Sequence, residues 1–292
     1  MHLVGRACLL SEKSSLEIAW GAEYTEVMSQ PIRWLQDEIA DRMLQKLAIV
    51  KLDVRDVLIV PDFPGRHLAS FAKRYPKANI FSLTEDGISS FNMWCLKASS
   101  NWRSLFSGNA ASLATYQEKG KFNLPDNSVD LVFSNLLLQD LPDPKHFLQE
   151  CWRVLREGGL LTFSYLGPDT GKELHALESG LIQLKNLISP WDMHDMGDAL
   201  LGERFSDPVM DMEFIGLDYE TDALLLIDAN ALKLLQKSGE QKIEKDVLPK
   251  KMTLEVVYGH AWAIGKNLAK AKDNVAYIDI NQIGFNTRSD SA

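Results

Sequence analysis

Residues 54–86 read VRDVLIVPDFPGRHLASFAKRYPKANIFSLTED, and their hydrophobic rhythm changes three times. The run DVLIV (56–60) is rich in β-branched residues and stops at Pro61, which predicts a short buried strand. GRHLASFAKRY then carries helical spacing up to Pro76, and ANIFSL is a second apolar run. Two strands joined through a helix by short connections form a parallel βαβ unit. A parallel pair needs both faces covered, so this stretch commits the chain to a layered α/β architecture.

The alternation continues downstream. SVDLVFSN (128–135) is a strand, DPKHFLQECWRVLREGG a helix and LLTFSYL (160–166) another strand. The helix has Asp143 as its N-cap, Pro144 at its first position, and Gly158 or Gly159 to close it. Its stripe of Phe147, Leu148, Cys151, Val154 and Leu155 faces the sheet, and Lys145, Glu150 and Arg153 lie on the outer side. A helical stretch to about residue 204 follows. Strand-like runs at 212–219 and 252–264 then flank the helix TDALLLIDANALKLLQKSG. Upstream, apolar positions 35, 39, 43, 44, 47 and 48 mark an amphipathic helix. The pattern predicts an α/β three-layer sandwich. Its sheet is mostly parallel, of about seven strands, with Val57–Val60 central and Met252–Trp262 the one antiparallel member. The organisation expected is a helical segment (1–50) packed on the core and one domain (51–283) with a helical insertion at about 171–205. A disordered tail (284–292) completes it.

Composition removes several function classes. The net charge of −9 argues against general nucleic-acid affinity, because phosphate binding needs a basic face. Cys8, Cys95 and Cys151 are scattered, so neither a disulfide framework nor a metal site is implied. No apolar run is long enough to span a bilayer, and the opening MHLVGRACLLSEKSS lacks a signal-peptide core and cleavage site. A cytoplasmic monomer without membrane contact is the expectation.

FNLPDNSVDLVFSNLLLQDLPDPKHFLQECWRVLREGGLLTFSYLGPDT resembles the second half of a class I (Rossmann-like) S-adenosylmethionine-dependent methyltransferase. LGPDT, WDMHDMGDAL, FSDPVMDME and LEVVYGHAW, in that order, resemble the malonyl-acyl-carrier-protein O-methyltransferase family of biotin synthesis. The similarity runs from about residue 33 to 264 and is strongest from 124 onward. It implies S-adenosyl-L-methionine as cofactor, and an acyl carrier protein bearing a malonyl thioester as partner.

The cofactor side departs from the family pattern. An acid and three glycines expected after the first strand fall on Ile59, Pro61, Phe63 and Gly65, and only Gly65 is retained. Glycine serves there because a side chain blocks close backbone approach; Pro61 also lacks an N–H, and Phe63 adds bulk. Asp62 is the nearby acid that could be recruited. Arg66 and His67, at a helix N-terminus, either meet the cofactor's carboxylate or are solvated surface residues. The acid that holds the ribose falls on Thr84, followed by Glu85, which a one-residue slip would bring near. Either Glu85 and Asp86 serve the ribose or they cap the next helix. The adenine acceptor falls on Asn109, whose amide oxygen still accepts one bond. Ser134, Asn135 and Leu136 follow the fourth strand of the family fold, where cofactor and substrate meet.

The substrate side is better kept. The resemblance places Gly167, Asp169 and Thr170 of the GPDT turn, with His194, beside the substrate. Lys172, Lys185, Arg204, Lys250 and Lys251 are basic candidates for an acidic carrier. No catalytic dyad is visible. A carboxylate is already ionised near neutral pH, so its methylation calls for positioning rather than a strong base. Two readings follow: a carboxyl O-methyltransferase, or a non-catalytic pseudo-methyltransferase that keeps the fold and a binding or regulatory surface.

Overall fold

The computed structural model describes residues 32–62, 66–83, 120–141, 143–175, 191–234 and 248–266, with the side chains of 66 and 175 excepted. In chain order the elements begin with α1 (Arg33–Leu47), β1 (Asp56–Ile59), α2 (Arg66–Arg74) and β2 (Asn79–Ser82). Next come β3 (Val129–Ser134), a 3₁₀ turn (Leu138–Asp140), α3 (Pro144–Val154) and β4 (Leu155–Leu166). The short α4 (Lys172–His175), α5 (Met193–Gly202), β5 (Ser206–Asp218), α6 (Asp222–Ala231) and β6 (Lys251–Ala263) complete the set.

The described sheet has six strands in the order β2-β1-β3-β4-β6-β5, against the seven expected. Residues 84–119, between β2 and β3, lie outside the described residues. β1 is interior, parallel to β2 on one side and β3 on the other. β3 and β4 are parallel, and β6 alone runs opposite, antiparallel to both β4 and β5.

Alternation along the strands divides the core in two. Val57, Ile59, Leu131 and Phe133 face the layer of α1, α2 and α6, where Leu35, Ile39, Met43, Phe71 and Leu225 are fully buried. Leu58, Val60 and Val132 face the other way, against Phe147, Cys151 and Val154 of α3 and Met196 and Leu200 of α5. Helices on both faces of a mostly parallel sheet make the three-layer α/β sandwich that the periodicity predicts.

Three local expectations are corrected. Glu150 is buried rather than exposed, because the segment from Phe122 to Asp126 covers that side of α3. Its carboxylate accepts the Phe122 N–H at 3.0 Å and pairs with Arg153 at 2.8 Å, and Arg153 reaches Asp126 and the carbonyls of Phe122 and Leu124. Neither Gly158 nor Gly159 closes α3: the helix ends at Val154, and Leu155 is already extended. Lys266 Nζ receives the freed end, contacting the carbonyls of Trp152 and Leu155. β5, finally, begins at Ser206, six residues before the apolar run that marks it in the sequence. Asp207 at φ 48° and a register shift between Ser206 and Val209 accommodate Pro208. β5 lies at the sheet edge, where a proline's missing N–H leaves no broken ladder.

Candidate functional site

β1, β2, β3 and β4 all end at one edge of the sheet, the carboxyl edge, where ligands bind in open parallel α/β sheets. Asp62 stands just past β1 and has no solvent exposure. One carboxylate oxygen accepts the backbone N–H groups of His67 (3.0 Å) and Leu68 (3.4 Å), and the other accepts the Ser82 hydroxyl at 2.7 Å. Asp62 thus anchors the start of α2 to the end of β2. Burial pushes its pKa up to about 6, against the opposing pull of Ser82, Leu68 and His67.

Ser134, Asn135 and Leu136 continue from β3, all buried. The Asn135 amide donates to the Gln36 carbonyl of α1 at 2.8 Å and lies 3.1 Å from His67 Nε2. Its oxygen accepts the Ser164 hydroxyl of β4 at 2.8 Å. Leu136, at φ 52°, donates its N–H to Ser164 Oγ at 3.1 Å. His67 is 3% exposed and meets the Phe133 ring edge-on, with centroids 5.6 Å apart; its reading as a solvated residue is therefore wrong. Ser134 Oγ is buried and has no hydrogen-bond partner within the described structure. A buried hydroxyl left this way costs roughly 1–3 kcal/mol, which a polar ligand at the strand end would recover. That is the feature of the carboxyl edge that fits a bound cofactor.

The GPDT turn continues from β4 and is fastened to β6. Gly167 and Thr170 are buried, whereas Asp169 is exposed. Gly167 donates its N–H to the Glu255 carbonyl at 2.8 Å, and Thr170 Oγ1 both donates to that carbonyl and accepts the Glu255 N–H. The Tyr165 hydroxyl donates to the Asp192 carbonyl at 3.0 Å, which ties the start of α5 to the end of β4. Asp192 caps α5, accepting the N–H groups of His194 and Asp195, and these two backbone donors hold its carboxyl below the usual range. His194 itself is largely exposed, its Nδ1 3.7 Å from Asp192.

The structure brings Asp62, Ser134, Asn135, Leu136, Gly167, Asp169 and Thr170 to the carboxyl edge. Gly65, Thr84, Glu85 and Asn109, with Phe63, lie outside the described residues. Of the basic candidates, Lys250 is paired with Asp222 and Lys251 with Asp218, while Arg204 lies over the Trp152 ring and Lys172 over Phe214. Lys185 is outside the described residues. A cavity of about 670 Å³ between α3 and α5 is lined by Lys145, Trp191, Asp195, Asp198 and Glu203, among others. Three carboxylates against one ammonium make it a poor seat for an anionic acyl group. His260, half-buried in β6, has its pKa lowered by desolvation first and by Lys46 second, so its neutral form is favoured. The described residues hold no His, Cys, Asp and Glu cluster fit for a metal, and none of their helices is long and apolar enough to cross a membrane.

Sequence reasoning missed Gln36, Ser164 and Glu255. Only Ser164 and Glu255 left a signal, as polar residues within otherwise apolar strand runs.

Comparison with known proteins agrees with this geometry. The family described as "Methyltransferase domain" matches residues 93–163. The Bacillus halodurans protein named as a methyltransferase superposes with a TM-score of 0.50 at 16% identity, over 77% of this chain and 99% of that one, which is a likeness of fold. The malonyl-[acyl-carrier protein] O-methyltransferase of Gallionella capsiferriformans is 35% identical over 247 residues, covering 78% of this chain and 83% of the relative. The enzyme of that name from Coxiella burnetii is 34% identical over 253 residues, covering 80% and 82%. Identity of about one-third, sustained over some four-fifths of this chain and of each relative, shows that the chain belongs to the malonyl-acyl-carrier-protein O-methyltransferase family.

Proposed function

We propose that this protein is a carboxyl O-methyltransferase that acts on the free carboxylate of a malonyl group carried as a thioester on an acyl carrier protein, in biotin synthesis. The observation that carries the proposal is the meeting, at one sheet edge, of the β3 terminus with the end of β4 that leads into the GPDT turn, bonded through Ser164, in a chain about one-third identical to enzymes of that name. S-adenosyl-L-methionine, when bound, supplies a methyl group on an electrophilic sulfonium. The residues proposed to hold it are Asp62, Gly65, Thr84, Glu85, Asn109 and Ser134 to Leu136. Among those described, Asp62 and Asn135 spend their side chains on protein partners, so they act by shaping the site, and Ser134 offers the unengaged hydroxyl. Gly167, Asp169, Thr170 and His194 are proposed for the substrate side. The chain's task is to orient an already ionised carboxylate and exclude water, which needs no general base.

The test is incubation with S-adenosyl-L-methionine and either malonyl- or acetyl-loaded carrier protein, read by mass spectrometry. A methyl adduct on the malonyl form alone supports the proposal. No adduct on either refutes it. The second reading, a fold kept without cofactor use, draws on the internal saturation of Asp62 and Asn135. It predicts no adduct and no cofactor binding by a folded protein.

A further inference from the structure

Glu255 lies in β6 beyond the last β4 pair, Leu166 with Val256, so it sits where the GPDT turn leaves the sheet. It is 7% exposed, and a carboxylate buried to that degree calls for a reason. Glu255 holds the turn through Gly167, Asp169 and Thr170. Its carbonyl accepts the Gly167 N–H at 2.8 Å and the Thr170 hydroxyl at 3.2 Å, and its own N–H donates to Thr170 Oγ1 at 3.1 Å. Its side chain accepts the Asp169 N–H at 2.6 Å, a charge-assisted bond. The close packing extends to Gly167, where an added Cβ would lie 2.4 Å from the Glu255 carboxyl carbon and would displace that carboxylate from its place.

The backbone bonds to Gly167 and Thr170 would form with any residue but proline at position 255. The bond to Asp169 is the one the side chain supplies, and it fixes the exposed apex of the turn, Pro168 and Asp169. The end of β4, from which the turn leaves, is bonded to the segment after β3: Leu136 donates to the Ser164 carbonyl at 3.0 Å and Leu166 donates to Gln139 Oε1 at 3.4 Å. We propose that Glu255 is a positioning residue for the acyl substrate: it sets the apex of the GPDT turn against the β3 terminus and so shapes the wall that the malonyl group meets. This rests on the methyltransferase reading above.

The test compares wild type with Glu255→Ala and Glu255→Gln, measuring KM for malonyl-loaded carrier protein, KM for S-adenosyl-L-methionine, and kcat. Calorimetric titration with the malonyl-loaded carrier gives affinity independently of turnover. Glutamine keeps an acceptor for the Asp169 N–H and alanine does not. Loss of one charge-assisted bond predicts a rise of about tenfold in malonyl KM and dissociation constant for Glu255→Ala. Glu255→Gln should stay within about threefold of wild type, with cofactor KM unchanged in both. If Glu255→Ala shows no cooperative thermal transition, Glu255→Asp, one methylene short of Asp169, takes its place with the same expectation. An unchanged malonyl KM, an equal rise in both KM values, or a glutamine variant as impaired as alanine overturns the positioning role and leaves the methyltransferase reading intact. A wild type that neither binds nor methylates the malonyl carrier removes the reading, and this role with it.

Discussion

Asp62 shows what a single buried charge does at the carboxyl edge. Desolvation is the largest influence on it and lifts its pKa from 3.8 to about 6, although three donors meet its two oxygens. The folded chain therefore holds this proton more tightly than the unfolded chain does. The contribution to stability is fully present below about pH 3.8 and is lost as the pH rises through about 6. A shift from 3.8 to about 6 corresponds to at most ~3 kcal/mol. Asp62→Asn keeps an acceptor for the His67 and Leu68 N–H groups and turns its amide toward Ser82, which can accept. The variant should be the more stable protein at about pH 7, by up to about 3 kcal/mol, with the gap closing toward about pH 4. Urea unfolding at both pH values measures this, and a variant less stable than wild type at each would show that the carboxylate's bonds outweigh its desolvation. Ser134 makes the complementary case. Ser134→Ala removes an unpartnered buried hydroxyl, so the ligand-free protein should gain about 1 kcal/mol. If the bound cofactor recruits that hydroxyl, affinity for S-adenosylhomocysteine should fall several-fold in the same variant. Unchanged affinity in calorimetry would remove Ser134 from the site.

At the scale of elements, the strap from Phe122 to Asp126 is the clearest test of packing. Glu150 and Arg153 hold it to α3, with side chains 9% and 18% exposed. Glu150→Ala leaves the Phe122 N–H and the Arg153 guanidinium short of a partner and should cost about 3 kcal/mol in denaturant unfolding. A cost below about 0.5 kcal/mol would place the strap outside the cooperative unit. This strap also shows where local sequence reading stops. The stripe of α3 is legible because Phe147, Cys151 and Val154 recur at helical spacing, and their burial follows from one helix meeting one sheet. Glu150 lies off that stripe, and its burial comes from a partner 28 residues away. Asn135 depends likewise on Gln36, 99 residues away, and no local pattern encodes such a pairing. β5 extends beyond its sequence signal for a different reason: Pro208 punctuates the sequence like a turn, and only the strand's place at the sheet edge makes it tolerable there.

At the scale of the whole molecule, an interior β1, one reversed strand and a core on both sides of a mostly parallel sheet were the most legible features. The substrate-side turn was legible as a motif but not as a structure, since its anchor, Glu255, lies 86 residues from Asp169. The cofactor side was legible chiefly as a departure: proline and phenylalanine where close backbone approach favours glycine. The carboxyl edge is proposed to bind S-adenosylmethionine in spite of that rewritten loop, and ligand-dependent stability tests this most directly. Unfolding free energy of the wild-type protein is measured with and without S-adenosylhomocysteine, the methyl-depleted cofactor. A single site at a hundred times its dissociation constant should add about 2.7 kcal/mol, with one-to-one stoichiometry in calorimetry. A well-folded protein that gives no added stability and no heat at millimolar ligand would contradict the account.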